Sequence, residues 1–382
     1  MPRDAERVPA PAIGRRKFLT AFGLGGAASM ALGGRSFAEM ASAATVLPRY
    51  KVPIDSAPHK RTWMAWPDSS AIWGNKLAGI QANIGLIART IAKYEPVIMM
   101  ANAASVARAR TVCGSTVVVI GTIPVDDCWT RDTGAVFRTN GAGGLNAVGT
   151  NFNGWGNKQI YAKDALVASR MAAYAGVPFT ATGFVGEGGA IETDGDGTLM
   201  ATRSSLVNSN RNPGKTAAQI AYAVCGAYGA SKLIWFTGVK GQDITDDHVD
   251  ATSRFVGDAT GLVQWPLATD TDVFSVDARQ QYQVLSTATD AQGVRVGVTK
   301  LRGPDYNLIR STNPKFLGSY ANYHVVNGAV ISAQFGDRAA DAAAKVTLAR
   351  LFPGRVIEQL NIDYVGAGGG GIHCVTQQEP RR

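Results

Sequence analysis

Short β-rich runs and amphipathic helical stripes alternate along most of the chain, and this alternation limits the fold more than any other feature. From Lys76 to Tyr94, Leu77, Ile80, Ile84, Ile87 and Ile91 recur three or four residues apart, the stripe of a helix with one packed face. Similar helices fit Gln159 to Ala175, Lys215 to Tyr228 and Asp337 to Leu351. Between them lie β-rich runs at Val97 to Ala101, Thr116 to Ile120, Ala135 to Thr139, Leu233 to Phe236, Val294 to Lys300 and His324 to Ile331. Asp194-Gly195-Asp196-Gly197 reads as a turn joining two hairpin strands. The order predicts an α/β protein of repeated small units, and no Pro- or Ser-rich linker after Pro48 divides it. A single domain is expected over residues 46–382.

With 46% hydrophobic and 18% charged residues in 382, the chain can bury a large core. Its formal charge is +9; residues 1–44 hold six basic side chains against three acids, so the remainder carries +6. That surplus comes without a basic helix or interleaved aromatics, which argues against nucleic acid as a partner. Residues 1–44 read as an export signal. Arg15-Arg16-Lys17-Phe18-Leu19 opens an apolar run to Leu32, and Ala41-Ser42-Ala43 follows as a cleavage site. The paired arginines resemble the twin-arginine type, which implies the twin-arginine translocase as a partner and a periplasmic or secreted destination. The run is short of the ~20 residues a stable membrane span needs.

Four cysteines occur, Cys113, Cys128, Cys225 and Cys374, none in a zinc-type pair, so no metal is expected. The first three leave room for one bridge after export. Neither glycine run leads into Lys-Ser/Thr, so no phosphate cradle is present.

Several short motifs could carry chemistry. Gly368 to Gly371 precede Ile372-His373-Cys374, where bare backbone at Gly369 and Gly370 allows close approach to a planar substrate, with a thiol at its edge. Taken alone, such a cysteine is more often a buried structural residue than a nucleophile. In Asp246-Asp247-His248-Val249-Asp250, strand alternation would put His248 and Asp250 on one face, an imidazole beside a carboxylate. Asp126-Asp127-Cys128-Trp129-Thr130-Arg131-Asp132 packs three acids and a Trp into seven residues, a density that fits either a cation between the acids or an exposed acidic turn capped by Arg131. Glu187-Gly188-Gly189 adds another acid beside bare backbone. Acids at 132, 187 and 250 together outline a cation pocket. A guanidinium fits it, since its planar fork pairs with two carboxylates and its central carbon is open to a thiolate.

These motifs, with Trp63-Met64-Ala65-Trp66-Pro67, Asn151-Phe152-Asn153-Gly154-Trp155-Gly156 and Gln334-Phe335-Gly336-Asp337, resemble in joint order the agmatine deiminase and bacterial-type peptidylarginine deiminase family. The resemblance covers nearly all of the chain beyond the export segment. It implies a five-bladed α/β propeller (pentein) of ββαβ modules with pseudo-fivefold symmetry, and no cofactor. It further implies Cys374 as nucleophile, His248 as general acid/base, Asp132 and Asp250 as guanidinium ligands, and Glu187 as the acid orienting His248 and the substrate. Asp126 would border the pocket, and Trp129 would wall the channel for the substrate's alkyl chain. The implied reaction is hydrolytic deimination of agmatine to N-carbamoylputrescine and ammonia through a covalent thiouronium.

Agmatine deiminases usually read Gly-Gly-Gly-Asn-Ile-His-Cys and Gly-His-Val/Ile-Asp-Asn, whereas this chain has Gly371, Asp247 and Ala251 at the variant places. With the export signal, these departures keep an exported peptidylarginine or arginine deiminase as the alternative. Amidinotransferase or dimethylarginine hydrolase activity, or a silent guanidinium-binding scaffold, shares the pocket logic. A papain-like protease would need its Cys near the start of the mature chain. Oligomeric state has no signature here.

Overall fold

The computed structural model describes residues 49–382. The export segment expected over residues 1–44 lies outside the described residues.

Five small sheets follow one another along the chain. The first contains β1 (His59–Ala65), helix α1 (Leu77–Ile91), β2 (Val97–Met100), helix α2 (Val106–Cys113) and β3 (Val117–Ile120). The second contains β4 (Val136–Thr139), β5 (Leu145–Gly149), α3 (Val167–Ala175) and β6 (Phe179–Ala181). The third contains β7 (Ile191–Thr193), β8 (Thr198–Thr202), α4 (Ala217–Tyr228) and β9 (Lys232–Phe236). The fourth contains β10 (Ser253–Gly257), β11 (Thr260–Trp265), α5 (Val273–Thr287) and β12 (Gly297–Arg302). The fifth contains β13 (His324–Val326), β14 (Ala329–Gln334), α6 (Arg338–Leu351) and β15 (Val356–Asn361), and the last strand is β16 (Gln377–Pro380).

In sheets two to five the first two strands pair antiparallel, and the helix returns the chain to a third strand parallel to the second. The first sheet follows the same plan only because β16, from the other end of the chain, pairs antiparallel with β1. Trp63 lies opposite Gln377 and Arg61 opposite Glu379. The result is the five-bladed α/β propeller of ββαβ modules.

Local chemistry explains the elements. Ile80, Ile84, Ile87 and Ile91 of α1 are fully buried, the stripe read from the sequence. Thr216 and Gln219 form a capping box at the start of α4, and Gly229 ends that helix in the left-handed region. The Asp194 turn joins β7 to β8, with Asp194 Oδ1 accepting from the N–H of Asp196 and Thr198.

The structure departs from the sequence reading in several places. The run from His324 to Ile331 is a hairpin, not one strand, because the chain turns at Asn327-Gly328, where Gly328 has φ +89°. Helix α3 starts at Val167, not Gln159: residues 158–163 form no helix, and a 3-10 turn at Asp164–Leu166 leads into it. Helices α2 and α5 were not anticipated. His248 and Asp250 do not share a strand: positive φ at Asp246 and Asp247 turns the chain, and Val249–Ala251 forms a 3-10 turn. All four cysteines are free, so the bridge considered among the first three is absent. No helix among the described residues is long and apolar enough to cross a membrane.

Candidate active site

Five connections link one blade to the next, and each delivers a polar group to one place. Asp132 comes from the short helix Thr130–Thr133 between β3 and β4, Glu187 from the segment before β7, and His248 with Asp250 from the segment before β10. Asn322 lies before β13 and Cys374 before β16. The propeller thus converts motifs scattered over 243 positions (132 to 374) into one cluster.

Gly189 shows how tightly the acids and imidazole converge. A methyl carbon there would lie 2.8 Å from Asp132 Oδ1, 2.8 Å from His248 Nδ1 and 3.1 Å from Asp250 Oδ2. Only a residue without Cβ permits that meeting, and its N–H donates to Asp132 Oδ1 at 3.1 Å. His248 Nε2 lies 3.3 Å from Glu187 Oε2, and Nδ1 lies 3.6 Å from Asp132 Oδ1. Burial opposes a charge on this ring, but Asp132, Glu187 and Asp250 outweigh it and lift its pKa to about 9. His248 is therefore an imidazolium at neutral pH. Glu187 also accepts from Arg211 Nε at 2.8 Å; burial pushes its carboxyl up, but Arg211 and His248 bring it below the usual range.

The two proposed guanidinium ligands differ. Burial, with Asp250 and Glu187 nearby, raises Asp132 to about 6, while Trp155 Nε1 donates to its Oδ2 at 3.0 Å. Burial also opposes ionisation of Asp250, yet His373, His248 and Arg254 hold it below the ordinary carboxylate range. His373 Nδ1 lies 2.7 Å from Asp250 Oδ2, and Asp250 Oδ1 is buried without a partner. A buried anionic oxygen calls for a hydrogen-bond donor.

Cys374 Sγ lies 3.4 Å from Asn322 Oδ1 and 3.9 Å from Asp250 Oδ2. The Asn322 amide is fixed by two backbone groups: its Oδ1 accepts from Cys374 N and its Nδ2 donates to Asp250 O, each at 3.3 Å. Burial, then Asp250 and Asp132, raise the Cys374 thiol well above its ordinary value. Without substrate the sulfur therefore rests as a thiol.

The glycine run works differently from the sequence reading. A side chain at Gly370 would collide with Trp129, one at Gly368 with Trp73, and one at Gly371 with Asn322. Three of the four glycines thus make room for neighbouring side chains; Gly369, at φ +88° and with open space around it, serves the turn. Trp73 and Trp129 lie with ring centroids 6.1 Å apart, and both donate through Nε1 to Asp127, at 2.7 and 2.9 Å. Asp126, expected to border the pocket, instead accepts at Oδ2 from the N–H of Lys163 and Asp164. The acid that serves the aromatic wall is Asp127. Gln159 also donates to it, and Gln159 lines an open cavity of about 600 Å³ bounded by residues 157–162.

Two buried clusters have ligand-type atoms close enough to consider a metal, His59 with Glu95 and His324, and Asp55 with Glu192 and His373. Thr62 Oγ1 already lies 2.6 Å from Glu95 and 2.8 Å from His324 in the first. In the second, Arg254 holds both carboxylates, at 2.6 Å from Asp55 and 2.5 Å from Glu192. The guanidinium occupies the position a cation would take.

The blades and their central cluster of thiol, imidazole and carboxylates define a pentein. Residues 51–380 match the Porphyromonas-type peptidyl-arginine deiminase family, and the chain belongs to it. Among curated relatives it is 34% identical over 355 residues to the agmatine deiminase of Stutzerimonas stutzeri, covering 87% of this chain and 95% of that one. It is 32% identical over 358 residues to the agmatine deiminase of Pseudomonas aeruginosa, with the same coverage. Among solved structures, the agmatine deiminase of Enterococcus faecalis superposes with a TM-score of 0.81 at 27% identity, covering 87% of this chain and 96% of that one.

Proposed function

We propose that this protein is a hydrolase of C–N bonds in linear amidines that deiminates agmatine to N-carbamoylputrescine and ammonia. The observation that carries the reading is the meeting of Asp132, Asp250 and imidazolium His248 around Gly189, with Cys374 beside Asp250. The similarity to agmatine deiminases over 87% of the chain supports the choice of substrate.

A guanidinium between Asp132 and the free Oδ1 of Asp250 adds a second positive charge beside that of His248. That charge offsets the two acids raising the thiol, so Cys374 loses its proton to solvent once substrate is bound. The thiolate attacks the guanidinium carbon, and His248 donates its Nδ1 proton to the departing nitrogen, releasing ammonia. Neutral His248 then takes a proton from water, and the hydroxide attacks the thiouronium carbon. Collapse to the ureido carbonyl breaks the C–S bond and returns Cys374. Glu187 holds the imidazole through Nε2, while Trp129 and Trp73 wall the channel for the alkyl chain.

A colorimetric ureido assay with agmatine, free arginine and arginine-bearing peptides tests the substrate; preference for a peptide would replace agmatine with the citrulline-forming reaction. Cys374→Ser and His248→Ala are each expected to cut ammonia release by about a thousandfold or more, and unaltered turnover in either would reject the mechanism. We also propose export through residues 1–44, supported by their paired arginines; replacing Arg15 and Arg16 with Lys should leave the enzyme in the cytoplasmic fraction.

A further inference from the structure

A carboxylate outside the catalytic cluster reaches one of its members through a histidine. Asp55 lies in the turn before β1 and contacts residues from three separate parts of the fold. Its Oδ2 lies 2.8 Å from His373 Nε2 and 2.6 Å from Arg254 Nη2, and its Oδ1 accepts from Gln378 Nε2 at 2.5 Å. The other nitrogen of the His373 ring reaches Asp250 Oδ2 at 2.7 Å. Asp55, His373 and Asp250 therefore form a linear chain ending at the orphaned oxygen of Asp250.

A carboxylate turns about its last torsion with broad freedom, so one fixed oxygen decides where the other points. His373 fixes Oδ2 of Asp250, but an imidazole anchored at one nitrogen can still tilt; Asp55 anchors the second nitrogen when the ring carries a proton on each, a form that the two carboxylates favour and that burial, Arg131 and Arg254 oppose. From this geometry we propose that Asp55 is a positioning residue for substrate: acting through His373, it aims Asp250 Oδ1 at the guanidinium. The inference rests on the reading of Asp250 as a guanidinium ligand.

Arg254 helps to separate this role from mere support of the fold. Without Asp55 it retains Glu192, the carbonyls of Ala321 and Tyr323 at 3.1 and 3.0 Å, and the Tyr323 ring at 4.6 Å. Removal of Asp55 thus leaves that arginine partnered at Nε and Nη1; Arg254 Nη2, Gln378 Nε2 and His373 Nε2 each lose a partner, and the loss on His373 is the one that reaches Asp250. Asparagine should substitute well. Its oxygen can occupy the Oδ2 place, and its NH2 would then face Gln378, whose unpartnered Oε1 can turn to accept from it.

The test measures agmatine binding by calorimetry in the full chain carrying Cys374→Ser, so that turnover plays no part. Adding Asp55→Ala should weaken binding tenfold or more, while Asp55→Asn stays within about threefold of the parent. His373→Phe, which keeps a ring but no nitrogen, should weaken binding as Asp55→Ala does, and the two together should be no weaker than His373→Phe alone. Unchanged affinity in Asp55→Ala, or additive losses in the double variant, would overturn the proposal. If Asp55→Ala fails to fold, the His373→Phe comparison decides it, and unchanged affinity there overturns it equally. Failure of the underlying reading is separable: in that case Asp250→Asn in the same background would bind agmatine as the parent does.

Discussion

Gly370→Ala tests the new reading of the glycine run. The added methyl carbon would overlap Trp129 Cζ3 and lie 2.8 Å from Cη2 and 3.2 Å from Cε3, whereas carbon contacts are comfortable from about 3.5 Å. The indole must retreat by about 1 Å, yet it is pinned at its far end by the 2.9 Å bond from Nε1 to Asp127. Breaking a bond to a charged acceptor costs about 1.5–3 kcal/mol, and crowding a packed site adds about 1–3 kcal/mol. A loss of about 3–5 kcal/mol follows, a drop in Tm of roughly 6–15 °C for a domain this large. Because Trp129 walls the proposed channel, KM for agmatine should rise as well. Gly369→Ala is the control: its space is open but its φ of +88° is unfavourable for alanine, so about 1–2 kcal/mol is expected, with KM little changed. Differential scanning calorimetry and the ureido assay read both effects. A wild-type melt and KM in Gly370→Ala would refute the steric argument, and it would restore the earlier idea that this glycine exists for substrate approach.

Glu187→Gln should destabilise by about 3–5 kcal/mol, because it leaves buried Arg211 and His248 facing a neutral amide, and the imidazole pKa followed by NMR should fall. For the pH profile of kcat/KM, protonation of Asp132 should set the acid limb near 6 and deprotonation of His248 the basic limb near 9. The same histidine links stability to pH. Its folded value of about 9 lies above the ordinary 6.5, so its stabilisation is complete below about 6.5 and disappears as pH rises through about 9, which urea unfolding at pH 6, 8 and 10 would show.

The residues that could be read in advance were those whose side chains carry chemistry inside a short motif: Cys374, His248, Asp250, Glu187 and Asp132. What stayed hidden depends on which way a side chain faces. Asp126 and Asp127 are adjacent acids of identical type, and only the path of the loop sends one to two tryptophans and the other to the turn at Lys163. A glycine run reports missing Cβ atoms without saying whether substrate or protein fills the space. Asn322 and Asp55 belong to no motif that names a role; pseudo-fivefold repetition, which puts one contributor on each blade connection, was the signal for Asn322. The Asn327-Gly328 pair is an ordinary hairpin signal and could have divided the run from His324 to Ile331. Nothing local marks Gln377–Pro380 as a strand, since its four residues gain that conformation from β1.

The pairing of β16 with β1 joins the two extremes of the described chain, and Cys374 lies three residues before it. The sulfur is therefore translated after the four other connections that supply the site, and any fragment ending before residue 374 lacks both the nucleophile and the strand that completes the first blade. No partially built ring can modify a guanidine before that last piece pairs with β1.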